Sequence, residues 1–521
     1  KEYIPLFDYY HEEMKPRGCF KVLCGNYVTS DSGTGIVHTA PAFGEEDYKI
    51  CRQYNIIIPD DPCVSVDENG NFIDRISDFK GMFIKDADKE IIKNLKDRQR
   101  LVKKSDIKHS YPMCWRSNTP LIYKAISTWF IKVTDVKENL LANNKKATWV
   151  PKTIQDKRFH NWLEAAEDWC FSRNRFWGNP IPLWVSDDYE EIVCVGSIAE
   201  LKQLAGLPAD YPLTDIHREF IDHITIPSKQ GKGLLRRVEE VFDCWFESGS
   251  MPYASFGYPY KMNDEQFKQR FPADFIGEGL DQTRGWFYTL NVISTAIFND
   301  TPYKNLIVNG IVCNEKGEKL SKSQKNFPDP MVCVNRLGAD AVRLYLMNSP
   351  LVKAESLNFK EEGLGAVVKD VFIPWYNLCR LLVQEINRYE GTVNRNFVYD
   401  EAMFKDGGYE FTNLTDKWIL AKTQNIINFV HQEFEHYRLY TVLDKQLRYL
   451  DDLANRYVNA NKNRLRGMGG PEDANVALNV FFYCFFSCIT LMAPYVPFIV
   501  EFFYQNLRLA IKQDSPLQEQ S

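Results

Sequence analysis

The sequence predicts an α/β protein laid out in three successive regions, and changes in hydrophobic patterning along the chain predict it. Residues 1–150 mix short apolar runs (CFKVLCGNYV, GTGIVHTA, PLIYKAISTWFIKV) with Gly, Pro and Asp turns, the pattern of a mostly β or α+β domain. From 151 to 370, strand-like runs (DFIGEG, NLIVNGIVC) alternate with helical ones (DQTRGWFYTLNVISTAIF, GADAVRLYLMN), as in a parallel sheet wrapped by helices. Ligands of such a sheet gather at the carboxyl ends of its strands. From 371 to 521 the period is helical: Ile419, Thr423, Ile426, Ile427, Val430 and Phe434 form one stripe, and Leu443, Leu447, Leu450, Leu453 and Tyr457 another. A GMGGPED loop then precedes an apolar run, so this last third is expected to be a helical bundle.

Composition bounds the function. A chain of 521 residues exceeds one hydrophobic core, and 45% hydrophobic with 25% charged residues excludes fibrous and disordered classes. The net charge of −6 supplies no overall field for nucleic acid, so any such partner must be met by local basic patches. Thirteen cysteines without repeating spacing, many inside apolar runs such as FFYCFFSC, fit reduced thiols in the cytoplasm better than a disulfide framework. Neither Cys19 with Cys24 nor Cys484 with Cys488 has the spacing of a zinc site, and no metal ligand set is assigned. The leading KEYIPLFDYYHEEM is charged and does not read as a signal peptide. Residues 474–500 are long and apolar enough to cross a bilayer, but Pro494, Pro497, Asn479 and Ser487, with no flanking Lys/Arg cluster, favour a buried bundle helix and no membrane.

The chemistry begins at KLSKSQKN (319–326). Lys319 and Lys322 are spaced to face one anion from a turn, with Ser321 and Ser323 as short donors. Neutralising charge on a departing polyphosphate is a main route to transfer from ATP. A lone K-x-x-K would usually be a solvated basic loop; its place after a strand, in a chain with no G-x-x-x-x-G-K-[ST] loop, favours the nucleotide. In GEGLDQTRGW (277–286), Glu278 and Asp281 are expected at the start of a helix, both facing one cleft, with Gln282 and Trp286 one turn apart. An ammonium calls for carboxylates and a branched alkyl chain for aromatic walls; complementing a helix dipole and filling a core are the alternatives.

KLSKS resembles the KMSKS signature of class I aminoacyl-tRNA synthetases, with Leu320 replacing methionine, a volume-conserving swap. DWCFSRNRFWGNPIPLW, VFDCWFESGS and FIGEGLDQTRGWFYTL resemble, in order, segments of the isoleucine members of that family, and the valine and leucine members differ at GEGLDQTRGW. The resemblance implies the C-terminal half of a Rossmann-like catalytic domain (151–370), preceded by part of a β-rich editing domain (1–150) and followed by an anticodon-binding bundle (371–521). It implies ATP-dependent activation of isoleucine to its adenylate with Mg²⁺, transfer to tRNA(Ile), and hydrolysis of mischarged valyl-tRNA. By this likeness Lys319 and Lys322 are catalytic and Lys322, Ser321 and Ser323 bind ATP, while Glu278, Gly279, Asp281 and Gln282 hold amino acid and adenylate and Trp286 and Trp245 line the side-chain pocket. GTGIVHTAPAFGEEDY (33–48) resembles an editing site, with Asp47 on the ammonium of the wrong amino acid and His38 beside it. DKWILAKTQ and LMAPYVPF are similar to the anticodon-binding bundle, and NANKNRLRG offers Lys462, Arg464 and Arg466 as phosphate contacts or as a solvated helix end.

None of the eight histidines occurs in the HIGH-type tetrapeptide that also grips ATP in this family, and the threonine-rich editing strand is absent. The chain is therefore expected to be an internal fragment, inactive alone in adenylate formation. A tRNA-binding fragment, one half of a split enzyme needing a second chain, a multi-synthetase component and a valine- or leucine-type relative remain the alternatives. Cys114 in YPMCWR lacks the additional ligands of zinc-binding relatives.

Overall fold

The computed structural model describes residues 1–29, 31, 34–57, 63–106, 108–114, 117–320 and 329–511. The chain divides between Trp129 and Phe130 into two compact units. In the first unit, α1 (Glu45–Gln53) and α2 (Ile84–Asp97) are the longest helices, and a small core gathers Met14, Ile50, Cys51, Ile56 and Ile57. Its strand-like runs pair only through single bridges among the described residues, such as Glu2 with Lys21 and Val66 with Phe72. A strand needs several neighbours to be stable, and these runs lack them here.

The second unit opens before residue 150, earlier than the patterning suggests. β1 (Thr148–Val150) is a sheet strand, and Trp149, 3% exposed, packs its ring 4.8 Å from Phe159 and 5.7 Å from Phe287. That burial ties the segment to the second unit's core. An excursion then builds a separate antiparallel sheet from β2 (Leu183–Val185), β3 (Ile192–Cys194), β4 (Ile226–Pro227) and β5 (Leu234–Arg237), in the order β3-β2-β5-β4. Trp184, Leu201, Ile221 and Leu235 form its core. A short helix, α3 (Cys244–Gly249), returns the chain to the main layer.

There β6 (Ala273–Gly279), α4 (Trp286–Phe298) and β7 (Tyr303–Asn309) form a β-α-β unit with parallel strands. β7 also pairs in parallel with β1, giving the order β6-β7-β1. Phe287, Leu290 and Val292 bury α4 in the core of this sheet, and Asn299 in the left-handed region stops the helix. Beyond β7, Gly310 donates its amide to the Leu351 carbonyl at 2.7 Å, and a Cβ there would lie 1.7 Å from the Glu355 oxygen, so only glycine allows the turn. β8 (Val312–Cys313), α5 (Pro330–Leu337), α6 (Ala339–Met347) and β9 (Leu357–Asn358) come next, with β8 and β9 parallel.

The helical third consists chiefly of α7 (Ile373–Val393), α8 (Leu414–Glu435), α9 (Tyr440–Asp451), α10 (Pro471–Met492) and α11 (Pro497–Leu507). Ile419, Thr423, Ile426 and Val430 are buried along α8, and Leu443 and Leu450 along α9, so both predicted stripes face the core. The apolar run at 474–500 is two helices instead of one. The chain turns between Met492 and Pro497, where Pro494 and Pro497 supply no backbone donors. Most of the hydrophobic window of α10 is covered by the bundle, with Phe481, Phe482 and Phe485 fully buried.

Candidate functional site

Glu278 and Gly279 are the last two residues of β6, paired with Val308 and Asn309 at the end of β7. Glu278 therefore stands on a strand end and not, as its spacing suggested, at the start of a helix; the helical turn begins only at Leu280. Asp281 is next in that turn, and a Cβ on Gly279 would meet its Oδ1 at 2.6 Å, so the carboxylate is folded back over the glycine. Glu278 and Asp281 are both exposed, and neither has an ion-pair partner among the described residues. Two unneutralised carboxylates at the carboxyl edge of a parallel sheet are poised for a cation.

Behind them the turn is rigid. Gln282 accepts the Trp286 amide through Oε1 at 3.0 Å, capping α4, which leaves its amide group to donate. The Trp286 indole donates to the Ser248 carbonyl at 2.8 Å, which fixes the ring between α4 and α3. Trp245, 38% exposed, lies over the same turn: a Cβ on Gly285 would come within 3.3 Å of its Cη2 and 2.8 Å of Gln282 Oε1. Gly249 lets α3 approach α4, since a Cβ there would lie 2.9 Å from Ile293 Cδ1. Asp243 caps α3 through the Trp245 amide at 3.1 Å and is held by Arg173. Gly279, Asp281, Gln282, Trp286 and Trp245 thus meet at one turn, with Glu278 on the strand end that leads into it.

The lysine turn follows β8, past the end of β7. After β8, Asn314 closes a tight turn: its Oδ1 accepts the Lys316 and Glu318 amides at 3.0 and 2.9 Å, and Gly317 sits at φ +81°. The turn returns the chain so that Lys319 bridges Cys313. Lys319 thus follows β7 through the Gly310 turn and β8, which pairs with β9 and not with the β6-β7-β1 sheet. Ser321, Lys322 and Ser323 lie outside the described residues.

The second predicted site is in the first unit. Gly44 precedes α1, and Asp47 in its first turn folds back, accepting the Ala40 amide through Oδ2 at 3.1 Å. A Cβ on Gly44 would lie 2.6 Å from that oxygen, so the fold-back requires glycine. Oδ1 has no partner among the described residues, and His38 is exposed two residues before Ala40. Asp47 and His38 thus belong to one short loop-helix junction.

One expected contact is corrected. Arg464 is not free for phosphate: it bonds Asp416 at 3.0 and 3.1 Å, Asp473 at 2.8 Å and Asn461 at 2.7 Å, with its side chain 16% exposed. Burial works against its charge, yet the bonds to Asp473 and Asp416 outweigh it and push its pKa upward. Lys462 and Arg466 are exposed beside it. Sequence reasoning also missed the positioning contacts, Ser248 for Trp286 and Arg173 for Asp243; no local spacing announces either.

Comparison with known proteins places this geometry in context. Residues 30–358 match the model "tRNA synthetases class I (I, L, M and V)", and residues 416–521 match "Anticodon-binding domain of tRNA ligase". An isoleucine–tRNA ligase of Tetrahymena thermophila is 56% identical over the whole chain, which spans 48% of that relative. The cytoplasmic isoleucine–tRNA ligases of Saccharomyces cerevisiae and Mus musculus are 51% and 50% identical over 97% and 98% of the chain, covering 46% and 40% of their own lengths. The chain thus spans about half the length of the curated relatives it matches. A Mycobacterium tuberculosis methionyl-tRNA synthetase solved with methionyl-adenylate shares the fold at a TM-score of 0.54 and 17% identity, over 78% of this chain and 67% of that one.

Proposed function

The chain belongs to the class I tRNA synthetases of the isoleucine, leucine, methionine and valine group, and from that premise we propose that it is the central and C-terminal part of an isoleucine–tRNA ligase. The observation that carries the reading is the adjacency of β6 and β7. β6 ends in Glu278 and Gly279, paired with the end of β7, and the chain leaving β7 runs through the Gly310 turn and β8 into the KLSKS segment.

In this reading Glu278 takes the ammonium of isoleucine, Asp281 and the Gln282 amide hold the adenylate beside Gly279, and the Trp245 and Trp286 rings wall the alkyl chain. Lys319 and Lys322, with Ser321 and Ser323, neutralise the triphosphate as pyrophosphate leaves. Mg²⁺ rides mainly on the nucleotide's phosphates and asks for few protein ligands, which the exposed carboxylates fit. The helical third binds tRNA(Ile). In the first unit Asp47 holds the ammonium of valine on mischarged tRNA, with His38 beside it, for hydrolysis. A second site is required because one methylene in an apolar pocket is worth only about 0.8 kcal/mol of burial, a limit for which isoleucine against valine is the standard illustration.

Amino-acid-dependent exchange of pyrophosphate into ATP tests this in the polypeptide at the length of its curated relatives. Isoleucine should support the fastest exchange; faster exchange with leucine or valine would sink the assignment. The 521-residue chain alone should bind tRNA and form little adenylate, since it carries no HIGH-type histidine pair.

A further inference from the structure

Both halves of the proposed site are tied to the helical bundle at neighbouring points. From β6, three residues before Glu278, Phe275 stacks on Tyr437 with centroids 5.3 Å apart and planes within 3°. Tyr437 lies in the α8–α9 connection at φ +55°, and Arg438 beside it is held by Glu433, which also accepts from Thr441 at 2.6 Å. Two residues on, the Leu439 carbonyl accepts the Tyr495 hydroxyl at 2.8 Å, joining this connection to the α10–α11 turn.

That turn is gripped in its own right by α6. Arg343 donates Nε to the Tyr495 carbonyl at 2.9 Å and Nη2 to the Pro494 carbonyl at 2.8 Å, filling acceptors left open where α10 ends. Asp340, three residues earlier and 6% exposed, accepts the Ile499 amide at 2.7 Å, one of the open donors of α11. A guanidinium and a carboxylate from one helix thus hold both sides of one turn. α6 joins α5 through Gly338 alone, at φ +88°, and α5 begins at Pro330, soon after the KLSKS residues.

We infer that Arg343 and Asp340 are positioning residues that couple tRNA on the bundle to the relative placement of β6 and the helices following KLSKS, with Phe275 as the second tie. One connected set of bundle loops touches the acidic strand through Tyr437 and the KLSKS-side helices through Tyr495, so a shift of those loops moves both. The inference rests on the ligase reading for the identity of the bundle's ligand.

The test uses Arg343→Lys, which keeps the charge and loses the two-carbonyl fork, and Asp340→Asn as an independent second variant, in the polypeptide at the length of its relatives. Isoleucine-dependent pyrophosphate exchange without tRNA should stay within about twofold, while kcat for tRNA charging falls about tenfold at unchanged KM for tRNA. Combining Arg343→Lys with Phe275→Leu should cost less than the product of the single losses, because both act on the same loops. Equal losses in exchange and charging, or no loss in charging, would overturn the coupling while leaving the ligase intact. Absence of isoleucine-dependent exchange in the parent would remove the ligase reading and the inference with it.

Discussion

Carboxylates serve opposite purposes in the β6 cleft and at the end of the bundle. Glu278 and Asp281 stand exposed at a sheet edge without a cation among the described residues, whereas Asp416, 1% exposed, takes two bonds from Arg464 and a third from the Tyr457 hydroxyl at 2.8 Å. The first pair retains its capacity for a ligand; the second has already been neutralised within the fold. A charge that meets substrate should therefore be removable at little cost to stability, and one that closes a core should not.

The largest effect expected from this contrast is at Arg464. Arg464→Met strands the buried Asp416 carboxylate and should lower stability by about 3–5 kcal/mol, read as a fall in the urea midpoint. A loss below 1 kcal/mol would mean that Asp416 finds water or another donor, and the contrast would dissolve.

Lys322→Ala should do the reverse. Removing one group that stabilises charge on the leaving pyrophosphate costs about 10²-fold in kcat, with the isoleucine KM nearly unchanged because that charge develops in the transition state. The melting temperature should hold. Unchanged pyrophosphate exchange would remove Lys322 from the chemistry. Asp47→Ala should spare isoleucine charging and let valyl-tRNA accumulate. Equal valyl-tRNA hydrolysis by variant and parent would remove Asp47 from editing.

The two regions were not equally legible in the sequence. The α8 and α9 stripes could be read because helical period is local: Ile419, Thr423, Ile426 and Val430 must share a face wherever the helix goes. The glycine-bracketed GEGLDQTRGW segment was readable as a cleft, but its spacing could not tell a strand end and turn from a helix start, which misplaced Glu278. Arg464 was misread for a different reason. Its partners Asp416 and Asp473 are 48 and 9 residues away and meet it only after the bundle closes. The Phe275–Tyr437 stack and the Arg343 grip on Tyr495 are equally non-local. Positions whose role is set by tertiary partners carry no periodic signature.

A smaller effect belongs to the pocket wall. Trp245 is held by the capped end of α3, lies over Gly285, and remains 38% exposed. Trp245→Ala should raise the isoleucine KM about tenfold through lost aromatic contact, with kcat within about twofold if the ring binds ground and transition states alike. An unchanged KM would place the amino acid elsewhere than between the two indoles.

The smallest effect sharpens the comparison most, because it is made beside Arg464 itself. Lys462 and Arg466 flank it in sequence but are exposed, so Lys462→Ala or Arg466→Ala should change stability by less than about 0.5 kcal/mol. If either meets a tRNA phosphate, its loss should weaken binding uniformly and reduce the slope of log affinity against log salt by about one. An unaltered slope in both variants would leave this end of the bundle as scaffold alone. A reduced slope would show structural and ligand-directed cations interleaved on one turn, distinguished by whether a carboxylate has already claimed them.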